Sequence, residues 1–182
     1  FSTNDSVTLL DIGFPNKNQS NARKIIGSVG DPEIIENSLK DLPEVIYYLA
    51  SVVSGEAEAD FSKGWDVNIH AFWAFLSLVK KLNEKSQGQY KPKIIFTSSI
   101  AVFGSPFPNQ IPDDFIAAPR TSYGAQKASC ELMLNDFSRK GFCEGLAIRL
   151  PTICVRPGKP NLAASSFFSG IIREPLSGIK AQ

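Results

Sequence analysis

Tyr123 and Lys127 are the two side chains whose types and spacing most directly suggest chemistry. Residues four positions apart lie on one face of a helix, so the phenol of Tyr123 would stand beside the ammonium of Lys127. A free phenol has a pKa near 10, and a neighbouring cation stabilises its anion, which makes the tyrosine a better base near neutral pH. The pair therefore predicts a general base with a cationic neighbour. Taken alone, the same spacing also fits a solvated helix face.

Two adjacent serines, Ser98 and Ser99, follow the short apolar run at residues 94–96, and Ser99 precedes Tyr123 by 24 residues. Open parallel sheets bind ligands beyond the carboxyl ends of their strands, which is where these hydroxyls would lie. A serine hydroxyl at that point can hydrogen-bond the reacting oxygen while the tyrosine takes its proton. The alternative is a turn at a strand end, because such turns also favour small polar residues.

Short apolar strands alternate with helical patterns along the chain. The predicted strands are residues 7–10, 45–50, 94–96 and 146–150, and the predicted helices begin near residues 31, 60 and 121. Helices between successive strands imply parallel pairing through right-handed crossovers. The predicted fold class is therefore α/β, with a doubly wound, Rossmann-like parallel sheet. After Pro157 the composition changes to small residues and proline, which indicates an excursion toward a substrate-covering region.

Composition and charge argue against several kinds of partner. The formal net charge is +1 and the basic residues are scattered, so nothing favours nucleic acid or an acidic membrane surface. Cys130, Cys143 and Cys154 lack the CxxC spacing of zinc sites, and His70 has no second histidine, so we predict no metal site. No apolar run reaches the roughly 18 residues of a membrane span. These features predict a soluble, cytoplasmic protein.

Several motifs together resemble one known family. They are Ser-Ser-x-x-Val-Phe-Gly from Ser98, Tyr-Gly-Ala-Gln-Lys from Tyr123, Leu-Ala-Ser at residues 49–51 and Arg-Leu-Pro-Thr at residues 149–152. Over nearly its whole length the chain resembles the extended short-chain dehydrogenases, also called the NAD-dependent epimerase/dehydratase family. The resemblance implies NAD as cofactor, a sugar acid or nucleotide sugar as substrate, and a homodimer formed through the helix that carries Tyr123.

The resemblance also implies roles for individual residues. Asp11 would accept hydrogen bonds from the adenosine ribose and disfavour a 2′-phosphate, which argues for NAD over NADP. Asp31 would face the adenine, although it equally fits the N-cap of the following helix. The implied catalytic residues are Ser99, Tyr123, Lys127 and Asn68, the last by orienting a water or a backbone carbonyl. The implied cofactor contacts are Asp11, Asp31, Leu49, Ala50, Ser51, Tyr123, Lys127, Pro151 and Ile153. The implied substrate contacts are Ser54, Ser99, Tyr123 and Arg156, with Lys159 as a further candidate.

The chain departs from the family pattern at its start. The family opens with a strand and a Gly-x-x-Gly-x-x-Gly turn that holds the pyrophosphate at a helix N-terminus. The strand at residues 7–10 corresponds to the family's second strand. We therefore interpret residues 1–155 as a partial dinucleotide-binding domain and residues 156–182 as the start of a substrate-binding region. We expect these residues alone to bind NAD poorly.

Three functions are compatible with these features. The first is oxidation of the C2 hydroxyl of a small sugar acid by NAD, which the resemblance of residues 156–161 favours. The second is a nucleotide-sugar epimerase or dehydratase, which would use the same serine, tyrosine and lysine. The third is a catalytically inactive binding module. The missing glycine turn supports this function, and the complete set of serine, tyrosine and lysine argues against it.

Overall fold

The computed structural model describes residues 6–14, 22–153 and 166–181, in which short strands alternate with helices. The strands are β1 (Thr8–Asp11), β2 (Arg23–Ile26), β3 (Val45–Tyr48), β4 (Lys93–Ser99) and β5 (Glu144–Leu150). The helices are α1 (Pro32–Leu39), α2 (Ser54–Ala59), α3 (Phe61–Trp65), α4 (Ala71–Lys85), α5 (Ser122–Arg139) and α6 (Ser166–Leu176). A π-helical turn (Asp66–His70) joins α3 to α4, and a 3₁₀ turn (Ile100–Val102) follows β4.

Every strand pair among the described residues is parallel. β1 pairs with β2, and β4 lies between β3 and β5 in a three-stranded sheet. In this sheet Ser99, the last residue of β4, is in register with Leu150 of β5. The parallel pairing and the intervening helices confirm the predicted α/β fold class. Because the strands are parallel, the carboxyl ends of β3, β4 and β5 meet at one edge, where the two serines lie.

Some elements differ from the sequence-based expectation. β2 was not predicted, because it contains only two apolar residues, Ile25 and Ile26, and depends on pairing with β1. The single helix expected from residue 60 to residue 82 is divided by the π-helical turn. The beginning of α5 was predicted correctly, since the Thr121 hydroxyl accepts a hydrogen bond from the amide of Gly124 at 3.0 Å.

The hydrophobic core lies between the three-stranded sheet and the helices α4 and α5. Its members are mainly aromatic and branched aliphatic side chains. They include Tyr48, Phe72, Phe75, Leu76, Val79, Ile94, Phe96, Leu134 and Phe137. The large rings pack against one another at tilted angles, as in the 4.8 Å contact between the ring centroids of Phe72 and Phe96. Dense packing of this kind resists deformation, so the core holds α5 in a fixed position against β4.

The opposite face of the three-stranded sheet is open within the described residues. Tyr47, Leu146 and Ile148 are all exposed there. Parallel sheets normally carry helices on both faces, and the described helices cover one. The division into a dinucleotide-binding domain (1–155) and a substrate-binding region (156–182) stays a prediction; α6 is the described element of the second part.

Candidate active site

Ser99 ends β4 and begins the 3₁₀ turn that follows it. Its hydroxyl oxygen accepts a hydrogen bond from the amide of Ala101 at 3.1 Å, which fixes the side chain at the sheet edge. A hydroxyl that accepts from the backbone can still donate its proton to a ligand. The local sequence therefore sets a half-buried donor at the carboxyl end of the central strand.

The first turn of α5 packs directly against the turn that follows Ser99. Gly124 allows this approach, because a methyl group at its Cα would lie 2.2 Å from the carbonyl oxygen of Ala101. No such contact is compatible with a side chain unless the backbone moves. Since Tyr123 precedes Gly124 and Ala101 lies two residues after Ser99, the close packing draws the tyrosine and the serine into one site.

We expect Gly124→Ala to lower kcat/KM by about tenfold to a hundredfold, because the added methyl must push the first turn of α5 away from the serine. Initial rates and thermal unfolding of the two proteins provide the measurement. Gly30→Ala is a matched control, since its added methyl meets only the Ser28 hydroxyl, at 3.4 Å. Wild-type rates in Gly124→Ala would show that this packing does not position Tyr123.

Lys127 is buried at the sheet edge, one helical turn beyond Tyr123. Its side chain is 2% exposed, and its Nζ donates a hydrogen bond to the carbonyl oxygen of Thr97 at 2.8 Å. The same nitrogen lies 4.7 Å from the ring centroid of Phe96 and 5.5 Å from that of Tyr123. Burial lowers the pKa of Lys127 to about 8, and the nearby Cys130 opposes this effect. The site therefore holds a poorly hydrated ammonium beside the phenol.

The pKa of Tyr123 differs from the expectation. We expected Lys127 to lower it, whereas burial of the phenol raises it and a hydrogen bond with the Ser51 hydroxyl acts in the opposite direction. The reason is geometric, since the Lys127 ammonium is directed to the Thr97 carbonyl. In this state Tyr123 is a neutral phenol at physiological pH, and Ser51 is the hydroxyl that favours its anion.

Asn68 lies in the π-helical turn and joins the loop after β3 to α5. Its side chain is 4% exposed, and its Oδ1 accepts from the Ser51 hydroxyl and from the amide of Val52, both at 2.9 Å. Its Nδ2 donates to the Val52 carbonyl at 3.3 Å and to Gln126 Oε1 at 2.7 Å. Single π-helical turns inside helices are frequent at functional sites. Here the turn places an amide where it fixes both Ser51 and α5.

The carbonyl and side chain of Asn68 are engaged within the protein. The Cys130 thiol donates to the Asn68 carbonyl oxygen at 3.1 Å. Gln126, the partner of the Asn68 amide, is fully buried and was not singled out in the sequence. Its one sequence signal is its place between Tyr123 and Lys127, where the spacing of that pair puts no restriction on the residue type.

The residues expected to contact the cofactor divide into those at the sheet edge and those elsewhere. Asp11 ends β1, is exposed, and accepts a hydrogen bond from the amide of Gly13 at 3.1 Å. The carboxyl end of β3 is followed by Leu49, Ala50 and Ser51, and Leu49 is well exposed. Asp31 is the N-cap of α1, because its Oδ1 accepts from the amide of Glu33 at 3.0 Å.

The remaining expected residues lie after β5 or at the start of α2. Pro151 and Ile153 follow β5, and both are exposed. Ser54 is the first residue of α2. Arg156 and Lys159 lie outside the described residues. The structure thus gathers Ser51, Asn68, Ser99, Tyr123 and Lys127 around the ends of β3 and β4 and the start of α5.

Metal-binding clusters and membrane-spanning helices are both absent from the part of the chain that the structure describes. It contains no group of three or more histidine, cysteine, aspartate or glutamate side chains that could hold a metal ion. It also contains no helix long and apolar enough to cross a bilayer.

Comparisons with known proteins agree with this geometry. The NAD dependent epimerase/dehydratase family matches residues 5–180. The chain is 47% identical to a D-erythronate dehydrogenase of Cupriavidus necator, across 96% of this chain and 52% of that protein. It is 42% identical to a D-erythronate dehydrogenase of Haemophilus influenzae, across 96% of this chain and 54% of that protein. The chain spans about half the length of the curated relatives that it matches.

A solved structure supports the same fold. The structure described as a nucleoside-diphosphate-sugar epimerase from Agrobacterium tumefaciens superposes with a TM-score of 0.84 and 49% sequence identity, covering 94% of this chain and 50% of that one. The similarity confirms the Rossmann-like architecture that the strand pattern predicted.

Proposed function

Because the chain belongs to the NAD-dependent epimerase/dehydratase family, we propose that the protein is an NAD-dependent dehydrogenase of a small sugar acid such as D-erythronate, and that it oxidises the C2 hydroxyl. The observation that carries this proposal is the gathering of Tyr123, Lys127 and Ser99 at the end of β4. Similarity to two D-erythronate dehydrogenases, at 47% and 42% identity, supports the substrate class.

The described residues fit the dinucleotide at both of its ends. At the adenosine end, Asp11 presents an exposed carboxylate that suits the two ribose hydroxyls and repels a 2′-phosphate. At the nicotinamide end, Tyr123 lies beside Lys127 and shares a hydrogen bond with Ser51, in the loop that also contains Leu49 and Ala50. When bound, NAD supplies the acceptor for the two electrons that leave the substrate carbon.

The chain's own residues supply the proton chemistry. Ser99 donates a hydrogen bond to the substrate oxygen and holds it at the sheet edge. Once its own phenolic proton has passed to solvent, Tyr123 takes the proton of that hydroxyl as general base, so the oxygen becomes a carbonyl oxygen as the carbon is oxidised. Lys127 provides positive charge beside the phenolate, and the Ser51 hydroxyl, whose single proton goes to Asn68 Oδ1 while Tyr123 is neutral, turns that proton to the phenolate. Asn68 fixes Ser51, and its role in the reaction is to keep that donor in place.

The substrate carboxylate needs a cationic partner, for which a planar guanidinium is well suited. We assign this role to Arg156 from the sequence, with Ser54 as a further hydrogen-bond donor. The only described arginine beside the serines, Arg149, already pairs with a carboxylate of the protein itself.

A second candidate function is supported by one observation. The solved structure at 49% identity is described as a nucleoside-diphosphate-sugar epimerase, and an epimerase would use the same serine, tyrosine and lysine. The two functions differ in the fate of the electrons. A dehydrogenase accumulates NADH, whereas an epimerase returns the hydride to its substrate and leaves the cofactor oxidised.

The test is the absorbance at 340 nm of the full-length native protein mixed with NAD and D-erythronate, then with its C2 epimer and with glycerate. We expect NADH to form with D-erythronate and the rate with NADP to be at least tenfold lower. A parallel incubation with UDP-glucose is analysed for a second sugar nucleotide. Appearance of that product without NADH would reject the dehydrogenase in favour of the epimerase.

A further inference from the structure

Glu131 ties the helix that carries Tyr123 and Lys127 to β4, which carries the two serines, and to β5. It lies one helical turn beyond Lys127 on α5. Its Oε1 accepts a hydrogen bond from the Ser98 hydroxyl at 2.5 Å. Arg149 of β5 donates from Nε to both carboxylate oxygens, at 3.0 and 3.2 Å, and from Nη2 to Oε2 at 2.8 Å. We call Ser98, Glu131 and Arg149 the Glu131 clamp.

The side chains of the Glu131 clamp are largely withdrawn from solvent. Ser98 is 3% exposed, and the Glu131 and Arg149 side chains are 13% and 34% exposed. Arg149 also lies over the ring of Phe103, 4.9 Å from its centroid, in the loop that continues from β4. A carboxylate removed from water in this way is stable only while its partners stay in position. The hydrogen bonds with Glu131 also raise the pKa of Arg149.

The clamp acts on the same two elements that hold the reacting groups. Ser98 directly precedes Ser99, and Ser98 is in register with Arg149 across β4 and β5. Tyr123, Lys127 and Glu131 occupy successive turns along one side of α5. Fixing Glu131 against Ser98 therefore fixes the separation between the base on the helix and the hydroxyl on the strand.

We propose that Glu131 is a positioning residue for the reaction, which sets Tyr123 against Ser99 by clamping α5 to Ser98 and Arg149. The expected change in kcat rests on the proposed function. The expected change in the placement of Tyr123 does not depend on which substrate the protein uses. An interaction of purely structural value would change unfolding and leave the rate per folded molecule unchanged.

The variant Glu131→Gln keeps the size of the side chain and removes its charge. In the full-length protein we expect kcat to fall by about tenfold to a hundredfold, with the KM values for NAD and D-erythronate changed less than about threefold. The matched control is Asp136→Asn, which breaks the ion pair with Arg139 in the last turns of the same helix, where both side chains are exposed. That control should keep the wild-type kcat.

A second readout does not need turnover. Ionisation of Tyr123 is followed from the absorbance change near 295 nm, each protein being compared with its own Tyr123→Phe derivative. We expect the pKa of Tyr123 to fall toward its ordinary value in Glu131→Gln, because a loosened first turn admits water to the phenol. Asp136→Asn should titrate as the wild type does.

The outcomes separate the two proposals. If Glu131→Gln keeps both the wild-type kcat and the wild-type titration, Glu131 is not a positioning residue. If the wild-type protein oxidises no acid, the proposed function fails, and the Tyr123 titration still decides the role of Glu131. If Glu131→Gln does not fold, Ser98→Ala removes one arm of the clamp while the Glu131 and Arg149 pair is retained, and the same two readouts apply.

Discussion

Tyr123→Phe is expected to lower kcat by about a thousandfold. The variant keeps the ring that packs beside Lys127 and deletes only the oxygen that we propose accepts the substrate proton. General-base catalysis by a positioned side chain contributes about 10² to 10⁴ in rate, which sets this magnitude. NADH formation with D-erythronate, measured over the pH range 6 to 9.5, gives the rate and its pH dependence.

The control for Tyr123→Phe is a phenol that lies away from the sheet edge. Tyr90 donates its hydroxyl to the carbonyl oxygen of Pro43 at 3.2 Å, near the start of β4. Tyr90→Phe should turn over at the wild-type rate, although loss of the hydrogen bond lowers the free energy of unfolding by about 1 kcal/mol. A Tyr123→Phe enzyme within tenfold of the wild-type kcat would remove Tyr123 from the reaction.

Lys127→Met is expected to separate activity from stability. Loss of the ammonium removes the positive charge that we propose acts beside the Tyr123 phenolate during the reaction, and we expect kcat to fall by about a hundredfold. The same substitution should stabilise the folded protein near pH 7, because the wild type buries a charge there and methionine does not. Functional sites often retain such unfavourable groups, so gain of stability with loss of function is the expected signature.

The pH dependence of this stability follows from the lowered pKa of Lys127, about 8 in the folded protein against 10.5 for an ordinary lysine. Below pH 8 the amine is charged in both the folded and the unfolded states, so the full penalty of burial, roughly 3 kcal/mol, is present. Between pH 8 and 10.5 only the unfolded state binds the proton, so wild-type stability rises with pH. In Lys127→Met this rise is absent.

Denaturant unfolding at pH 7 and at pH 9.5 measures the effect. We expect Lys127→Met to be more stable by about 2 kcal/mol at pH 7, after allowing about 1 kcal/mol for the hydrogen bond to the Thr97 carbonyl that is lost. The difference should shrink at pH 9.5. Lys81→Met, on the exposed side of α4, should leave stability unchanged at both values. A destabilised Lys127→Met at pH 7 would contradict the burial argument.

The site was predictable to the extent that it depends on local spacing. Tyr123 and Lys127 could be paired because a helix of known periodicity places them on one face. The capping of α5 by Thr121 was readable for the same reason, since a cap hydrogen-bonds an amide only three residues away. The alternation of apolar strands with helices was sufficient to predict a parallel sheet.

Contacts between distant segments were not predictable in this way. Asn68 was expected in the site, but its bond to Gln126 joins residues 58 positions apart. Glu131 looked like one polar residue of a long helix until the sheet brought Ser98 to it across 33 positions. The pKa of Tyr123 is raised, whereas the sequence predicted that it would be lowered. Burial raises it, and burial depends on everything packed around the phenol.

The sequence by itself determined which side chains are candidates for the proposed reaction and which elements present them, because residue type, helix periodicity and strand alternation are local properties of the chain. The tertiary structure decided how those side chains are held. It turned Lys127 toward Thr97, set Ser51 beside Tyr123, and clamped α5 to β4 through Glu131. These contacts depend on which strands pair and how closely α5 approaches them, and no local rule of the sequence specifies that approach.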